Sequence, residues 1–216
     1  NPLSSDPKDP QFYVQQLPLT PEDIANSNEI ISDGLFNMGL ILKNKLEDMS
    51  AAISAFNELD HRFPDCEYIL ETYYNMYLMY MRMGDKETAE VYKKRIIDRF
   101  PKSDYAIALA DPNYLENLRN MDVMQDSLYN QTYEAYLANN STKVHEYYEL
   151  VSRKYPLSDL MPKFMFLNSL SYIGEKNIEA FQTGLKELLE KYPEADVSPV
   201  ASGMLKGLAQ GRTIAT

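Results

Sequence analysis

YILETYYNMYLMYMRMGDKETAEVYKKRIIDRFP, residues 68–101, decides the fold. Its first half is apolar over most of a helical circumference, Gly84-Asp85 punctuates it, and its second half carries apolar residues three and four apart up to Pro101. Two runs of about four turns joined by a short turn make an αα-hairpin. The ending of this unit recurs. Phe63-Pro64, Phe100-Pro101, Tyr155-Pro156 and Tyr192-Pro193 each close an amphipathic stretch with an aromatic residue followed by proline. Pro64 and Pro101 stand 37 residues apart, as do Pro156 and Pro193. That period is one helix hairpin with its connection, so the chain reads as a solenoid of hairpins.

Counting back from each proline extends the alignment. Twelve residues before it stand Ala52, Ala89, Val144 and Phe181; five before it, Leu59, Ile96, Val151 and Leu188. The position eight before gives Phe56, Tyr148 and Leu185, with Lys93 breaking the pattern in the second unit, where Tyr92 takes its place. These offsets predict the buried stripe of each second helix.

The rest of the chain is read outward from these units. Residues 1–26 hold five prolines and form an extended leader, with Phe12, Tyr13, Val14, Leu17 and Leu19 expected to lay it along the solenoid. A short helix is expected from Pro21, capped by Thr20, with Glu22 and Asp23 suiting its first turn. Residues 27–101 form two hairpins. The first opens with a helix from about Ser27 to Lys45, whose apolar face is read from Ile30, Gly34, Leu35, Met38, Ile41 and Leu42. Gly39 in its interior predicts close approach of the partner helix. Residues 102–115 are a connector, broken at Asp111-Pro112, that reads as a packed segment or a hinge. Residues 116–216 supply two further hairpins and a terminal helix. Met121, Met124, Leu128, Tyr129, Tyr133, Tyr136 and Leu137 are expected to form one buried stripe there, and Ser141 or Thr142 to cap the helix that follows. The fold class is all-α, a right-handed α-α superhelix of about four hairpins plus a terminal helix.

Composition narrows the function classes. Hydrophobic residues make up 44% of the 216, enough for a folded core. The 17 Tyr and 8 Phe, with no Trp, suit rings packed between helix layers. A net charge of −11 argues against nucleic acid or an anionic membrane surface as the main partner. Cys66 is the only cysteine, so packing rather than an intrachain disulfide holds the scaffold. No stretch is long and apolar enough to be read as a membrane span, and the chain, starting at Asn1, reads as a processed or excised piece.

The hairpins with Gly39 in a first helix, Ala52 in a second and Pro64 at the exit resemble tetratricopeptide repeats. The closings HRFPDCEY, DRFPKSDY, RKYPLSDL and EKYPEADV are similar to repeats of periplasmic helper proteins of outer-membrane assembly and envelope integrity. Over nearly the whole chain, QLPLTPEDIANSNEIISDGLFNMGLILKNKLEDMSAAISAFNEL, SDYAIALADPNYLENL, PKFMFLNSLSYIG and EAFQTGLKELLEKYP resemble the tetratricopeptide region of the Bacteroidota gliding-motility lipoprotein family linked to the type IX secretion system. That resemblance implies a scaffold on the periplasmic side of the outer membrane, within a longer lipid-anchored chain that meets protein partners of the cell envelope. It implies no catalytic positions.

Motifs for chemistry are sparse. His61 and His145 lack a second histidine at metal-binding spacing and read as surface or partly packed residues. Asp104, Asp111 and Glu116 can be brought together around the connector, but no calcium-loop pattern accompanies them. Gly203 and Gly207 have helix-packing spacing and are not a phosphate loop. The reading is therefore non-enzymatic, with no catalytic residue, metal or cofactor. A tetratricopeptide-like array presents first-helix side chains on a concave side, which gives Asn37, Lys43, Asn44, Asn75, Tyr77 and Arg82 as candidate protein-binding positions. A groove that takes an extended peptide or a glycan is the alternative to a scaffold.

Overall fold

The computed structural model describes residues 6–14, 17 and 20–211. Eleven helices and no strand occupy these residues: α1 (Pro10–Val14), α2 (Pro21–Asn44), α3 (Met49–Arg62), α4 (Ile69–Met83), α5 (Lys86–Arg99), α6 (Asp104–Ala110), α7 (Tyr114–Leu137), α8 (Ser141–Lys154), α9 (Met161–Gly174), α10 (Ile178–Lys191) and α11 (Ser198–Ala209). They divide into two compact units, Asn1–Phe100 and Pro101–Thr216.

The second helix of every hairpin is built the same way from cap to exit. Asp48, Asp85, Asn140 and Asn177 cap α3, α5, α8 and α10, each side chain accepting from the backbone N–H three residues on. The residue before each cap has positive φ: Glu47, Gly84, Asn139 and Lys176. Fourteen helical residues follow, and the closing aromatic leaves the helix at φ near −130°, with Phe63 at −133°, Phe100 at −128°, Tyr155 at −132° and Tyr192 at −134°. Proline imposes this, because its ring disfavours α geometry in the residue before it. The cap Asn140 replaces the expected Ser141 or Thr142. Ser141 instead donates its hydroxyl to the Ser171 carbonyl oxygen at 3.0 Å.

Burial follows the repeat. Ala52, Ala89, Val144 and Phe181, and likewise Leu59, Ile96, Val151 and Leu188, are all 0% exposed. Tyr92 is buried in the place that Lys93 cannot fill. In the first unit α2 packs on α3, and α4 on α5. A Cβ at Gly39 would strike the Phe56 ring, so the glycine does mark the close crossing. Phe36 stacks on Tyr68 with ring centroids 4.8 Å apart, joining α2 to the chain entering α4. Arg99 of the second hairpin donates to the Pro64 carbonyl and the Asp65 carboxylate, both at 2.6 Å, and so grips the exit of the first.

In the second unit α7 packs on α8, α9 on α10, and α11 on α10. Leu128, Val151, Phe164, Phe181, Leu185 and Leu188 lie in one buried cluster. The connector forms the helix α6, capped by Ser103, and Asp104 at its start accepts from the Lys191 ammonium at 2.7 Å and the Tyr192 hydroxyl at 3.4 Å. Gly184 sits against Ser169, where a Cβ would collide with the serine hydroxyl.

Several expectations are corrected. The helix begun at Pro21 is continuous to Asn44, and Thr20 and Asp23 form its reciprocal cap. Its apolar residues split between two faces: Leu35, Phe36 and Gly39 are buried, while Ile30, Met38 and Ile41 are exposed, because only one face of α2 meets a neighbour. The same holds for α7, where Leu128 is buried but Met124, Tyr133 and Leu137 are exposed. In the leader, Tyr13, Val14 and Leu17 are exposed, and Phe12 packs edge-on against Tyr13. A five-residue helix has no face wide enough to bury them all; Leu19 lies outside the described residues. Gly203 meets no neighbour, so its expected packing role is not realised.

Candidate protein-contact surface

The first helices α2 and α4 carry the six candidate residues, and the fold gives them different fates. The Lys43 ammonium donates to the Asn75 side-chain oxygen, across from α2 to α4. Partial burial, then the nearby Arg82 charge, hold the Lys43 pKa below the usual lysine range. The Asn75 amide donates to the Glu71 carbonyl at 2.8 Å. Lys43, Asn75 and Arg82 therefore form one polar set, with Arg82 its exposed member. Asn37 is exposed and donates to Asp33 at 2.9 Å, and Asn44 is exposed at the end of α2.

Tyr77 and Asn75 are corrected as exposed positions. Both are buried, because α4 has neighbours on two sides and seven of its residues are covered. The Tyr77 pKa is raised by that burial and by Glu90. Sequence reasoning missed Asp33 and Tyr68: the Asp33 carboxylate accepts from the Tyr68 hydroxyl at 3.2 Å as well as from Asn37. The signal available was their separation of 35 residues, close to one repeat.

Among the described residues no group of three or more His, Cys, Asp or Glu is placed to hold a metal ion. Asp104 is engaged by Lys191 and Tyr192, while Asp111 accepts from the Asn117 amide at 2.8 Å. Burial pushes the Cys66 thiol up, away from the reactive thiolate. His145 is a packed residue: its ring stacks on Tyr172 at 4.4 Å, with Nδ1 2.6 Å from Asn168 Oδ1 and Nε2 3.3 Å from a Glu175 oxygen.

The helix pair from Asp33 of α2 to the exit after Pro64 decides the likeness. Residues 33–65 match the tetratricopeptide repeat family model. No curated protein matches the chain. The matched segment is the first of four that share one cap, one helix length and one exit. A tetratricopeptide fold is typically a non-enzymatic scaffold for protein partners. Among the described residues no helix is long and apolar enough to cross a membrane.

The second unit adds a cleft of about 480 Å³ between α8 and α10, floored by α9. Tyr148, Asn168, Tyr172, Thr183 and Glu187 line it, so its walls offer both aromatic faces and hydrogen-bonding groups.

Proposed function

We propose that the chain is a non-catalytic scaffold that makes protein contacts within a bacterial cell-envelope complex, in type IX secretion or gliding motility. The observation that carries the scaffold reading is the tetratricopeptide match at residues 33–65, extended by three further copies of the same cap-and-exit geometry. Such arrays spend their apolar residues on neighbouring helices and offer the remaining faces to partners. The envelope setting rests on the whole-chain resemblance to the gliding-motility lipoproteins. It entails a location on the periplasmic side of the outer membrane, with a lipid anchor elsewhere in a longer chain. Asn37, Asn44 and Arg82 are its outward contact positions. Lys43 and Asn75, bonded to each other across α2 and α4, are the more covered members of the set.

The test is photocrosslinking from Asn37, Asn44 and Arg82 in cells that make the full-length protein, followed by purification and mass spectrometry. Specific adducts with envelope proteins are expected. Purification of intact secretion complexes without any adduct to this chain would overturn the reading.

A second reading follows from the cleft lined by Tyr148 and Tyr172: a module that binds an extended peptide or a glycan. Saturable binding on a peptide or glycan array, lost on Tyr172→Ala, would favour it over a pure scaffold.

A further inference from the structure

Helices α3, α4 and α5 begin at Met49, Ile69 and Lys86, and α8, α9 and α10 begin at Ser141, Met161 and Ile178, so one offset of 92 residues relates all three pairs. In the first unit the space between α3 and α5, over α4, holds the chain's own side chains. The Tyr92 ring stacks on Tyr80 with centroids 5.7 Å apart, and both Tyr92 and Tyr77 are buried. The Arg95 guanidinium lies over the Tyr92 and Tyr73 rings, 5.1 and 5.5 Å from their centroids, and donates to the Asp60 carboxylate at 2.9 Å. An arginine thus sits on aromatic faces with an acid at its head, where stacking and a charge-assisted hydrogen bond act together.

At the same offset in the second unit most of these groups are exchanged. Ser169 and Gly184 stand for Tyr77 and Tyr92, Glu187 for Arg95 and Ser152 for Asp60, while Tyr172 keeps the place of Tyr80. The cleft of about 480 Å³ lies where the two rings and the cation are missing, and its volume is that of a ligand pocket. It stays open although α10 approaches α9 so closely that a Cβ at Gly184 would strike the Ser169 hydroxyl. No lysine or arginine lines it, and its charged groups are the exposed carboxylates of Glu179 and Glu187. Among the described residues Glu187 makes no ion pair. The Tyr148 pKa is raised by burial first, and the Glu187 carboxylate, reaching across from α10, adds to that rise.

We propose that this cleft receives an arginine side chain from a segment of a partner protein, its guanidinium laid against the tyrosine rings and paired with Glu187. The partner then supplies what Arg95 supplies inside the first unit. Arginine suits the site better than lysine, because its planar fork both stacks on rings and matches a carboxylate. A neutral glycan would use the rings and leave Glu187 without a counter-charge. The proposal rests on the second reading above, that the cleft is a binding site, and narrows its ligand to an arginine-bearing peptide.

NMR titration of the 216-residue chain at about 0.15 M salt, where diffuse attraction to its net charge of −11 is screened, tests this. The probes are short capped peptides that differ only at their central residue, which is arginine, lysine or the uncharged arginine analogue citrulline; maltotriose is titrated alongside. The arginine peptide should shift the amides of Tyr172, Thr183, Gly184 and Glu187 saturably, with a dissociation constant on the order of 1 mM. Lysine should bind more weakly, and citrulline more weakly by about tenfold or more. Glu187→Gln should weaken the arginine peptide by about tenfold. Glu187→Arg, which installs the cation as the first unit does, should abolish its binding. Both variants alter an exposed side chain and should leave the circular dichroism unchanged, and Glu134→Gln, at an exposed carboxylate of α7, should leave binding unchanged. If the citrulline peptide binds equally, or maltotriose binds and the arginine peptide does not, the proposal is overturned while the cleft reading stands. Shifts spread over the acidic surface and indifferent to Glu187→Gln also overturn it. If no probe gives saturable shifts in the cleft, both fall.

Discussion

A Cβ placed on Gly39 would lie 2.5 Å from Cε1 of Phe56, inside the contact distance of two carbons. The crossing of α2 and α3 is fixed by that approach. Gly39→Ala should therefore destabilise the chain by roughly 1–3 kcal/mol, despite alanine's better helix propensity, and Phe56→Leu in the same chain should return part of the loss. Gly34→Ala should act oppositely and stabilise the chain by about 0.5–1 kcal/mol, because its site is open. Urea denaturation of the two variants measures both signs.

Caps form the second common device. Asn140→Ala and Asn177→Ala each remove a side-chain oxygen that accepts a backbone N–H at 3.1 Å, and each should cost about 1 kcal/mol. Replacement by aspartate should retain most of the stability. At Asp85 the Thr88 side chain and backbone N–H hold the carboxyl below its ordinary range. Its contribution is present above the unfolded carboxylate pKa and is lost only as pH falls through the lower folded value. An NMR titration should find Asp85 protonating at lower pH than exposed carboxylates.

Truncation at the position five before each exit proline removes a side chain with no exposure. Leu59→Ala and Leu188→Ala should each cost about 2–5 kcal/mol, with the cavity left behind setting the value in that range. Leu46, 65% exposed, serves as the control, and its alanine variant should change stability by less than about 0.5 kcal/mol.

How far the sequence disclosed this architecture depends on which side chains set each feature. Helix exits were legible because proline constrains its neighbour locally, and the residues twelve and five before it could then be counted to the core. The caps were partly hidden. Glu47, Asn139 and Lys176 adopt positive φ without being glycine, so only Gly84 marks its left-handed backbone by residue type. Periodicity could not say which of two apolar arcs on α2 or α7 would be covered, since that is decided by whether another helix lies beside it. For the same reason Tyr77 and Asn75 were assigned to the surface, although α4 is flanked on two sides. Gly184 gave no sign of its contact with Ser169, which depends on a helix elsewhere in the chain.

Alkaline pH should unfold the protein through its tyrosines. Burial raises the pKa of Tyr73, Tyr92, Tyr148 and Tyr192, and Tyr68 is pushed up to about 12 by loss of solvent first and then by Glu67 and Asp33 beside it. The folded state therefore holds protons that the unfolded chain releases near pH 10, so stability is kept below pH 10 and falls as pH rises beyond it. Urea midpoints across that interval, followed together with tyrosinate absorbance, should decline as the late-titrating tyrosines ionise. Full titration near pH 10 with helicity and midpoint unchanged would show that the rings are not held protonated by the fold.

The claim on which the rest depends is that hairpins cover one another's apolar faces in a repeated packing. Native-state hydrogen exchange tests it residue by residue. The amides of Phe63, Phe100, Tyr155 and Tyr192, which donate at 2.8 Å to the carbonyls of the four unexposed residues Leu59, Ile96, Val151 and Leu188, report the ends of α3, α5, α8 and α10. Protection through α3, α5, α8 and α10 should far exceed that of the leader Asp6–Val14 and should persist to these last amides. Exchange of those four helices as fast as the leader would contradict the repeated packing and the scaffold built on it.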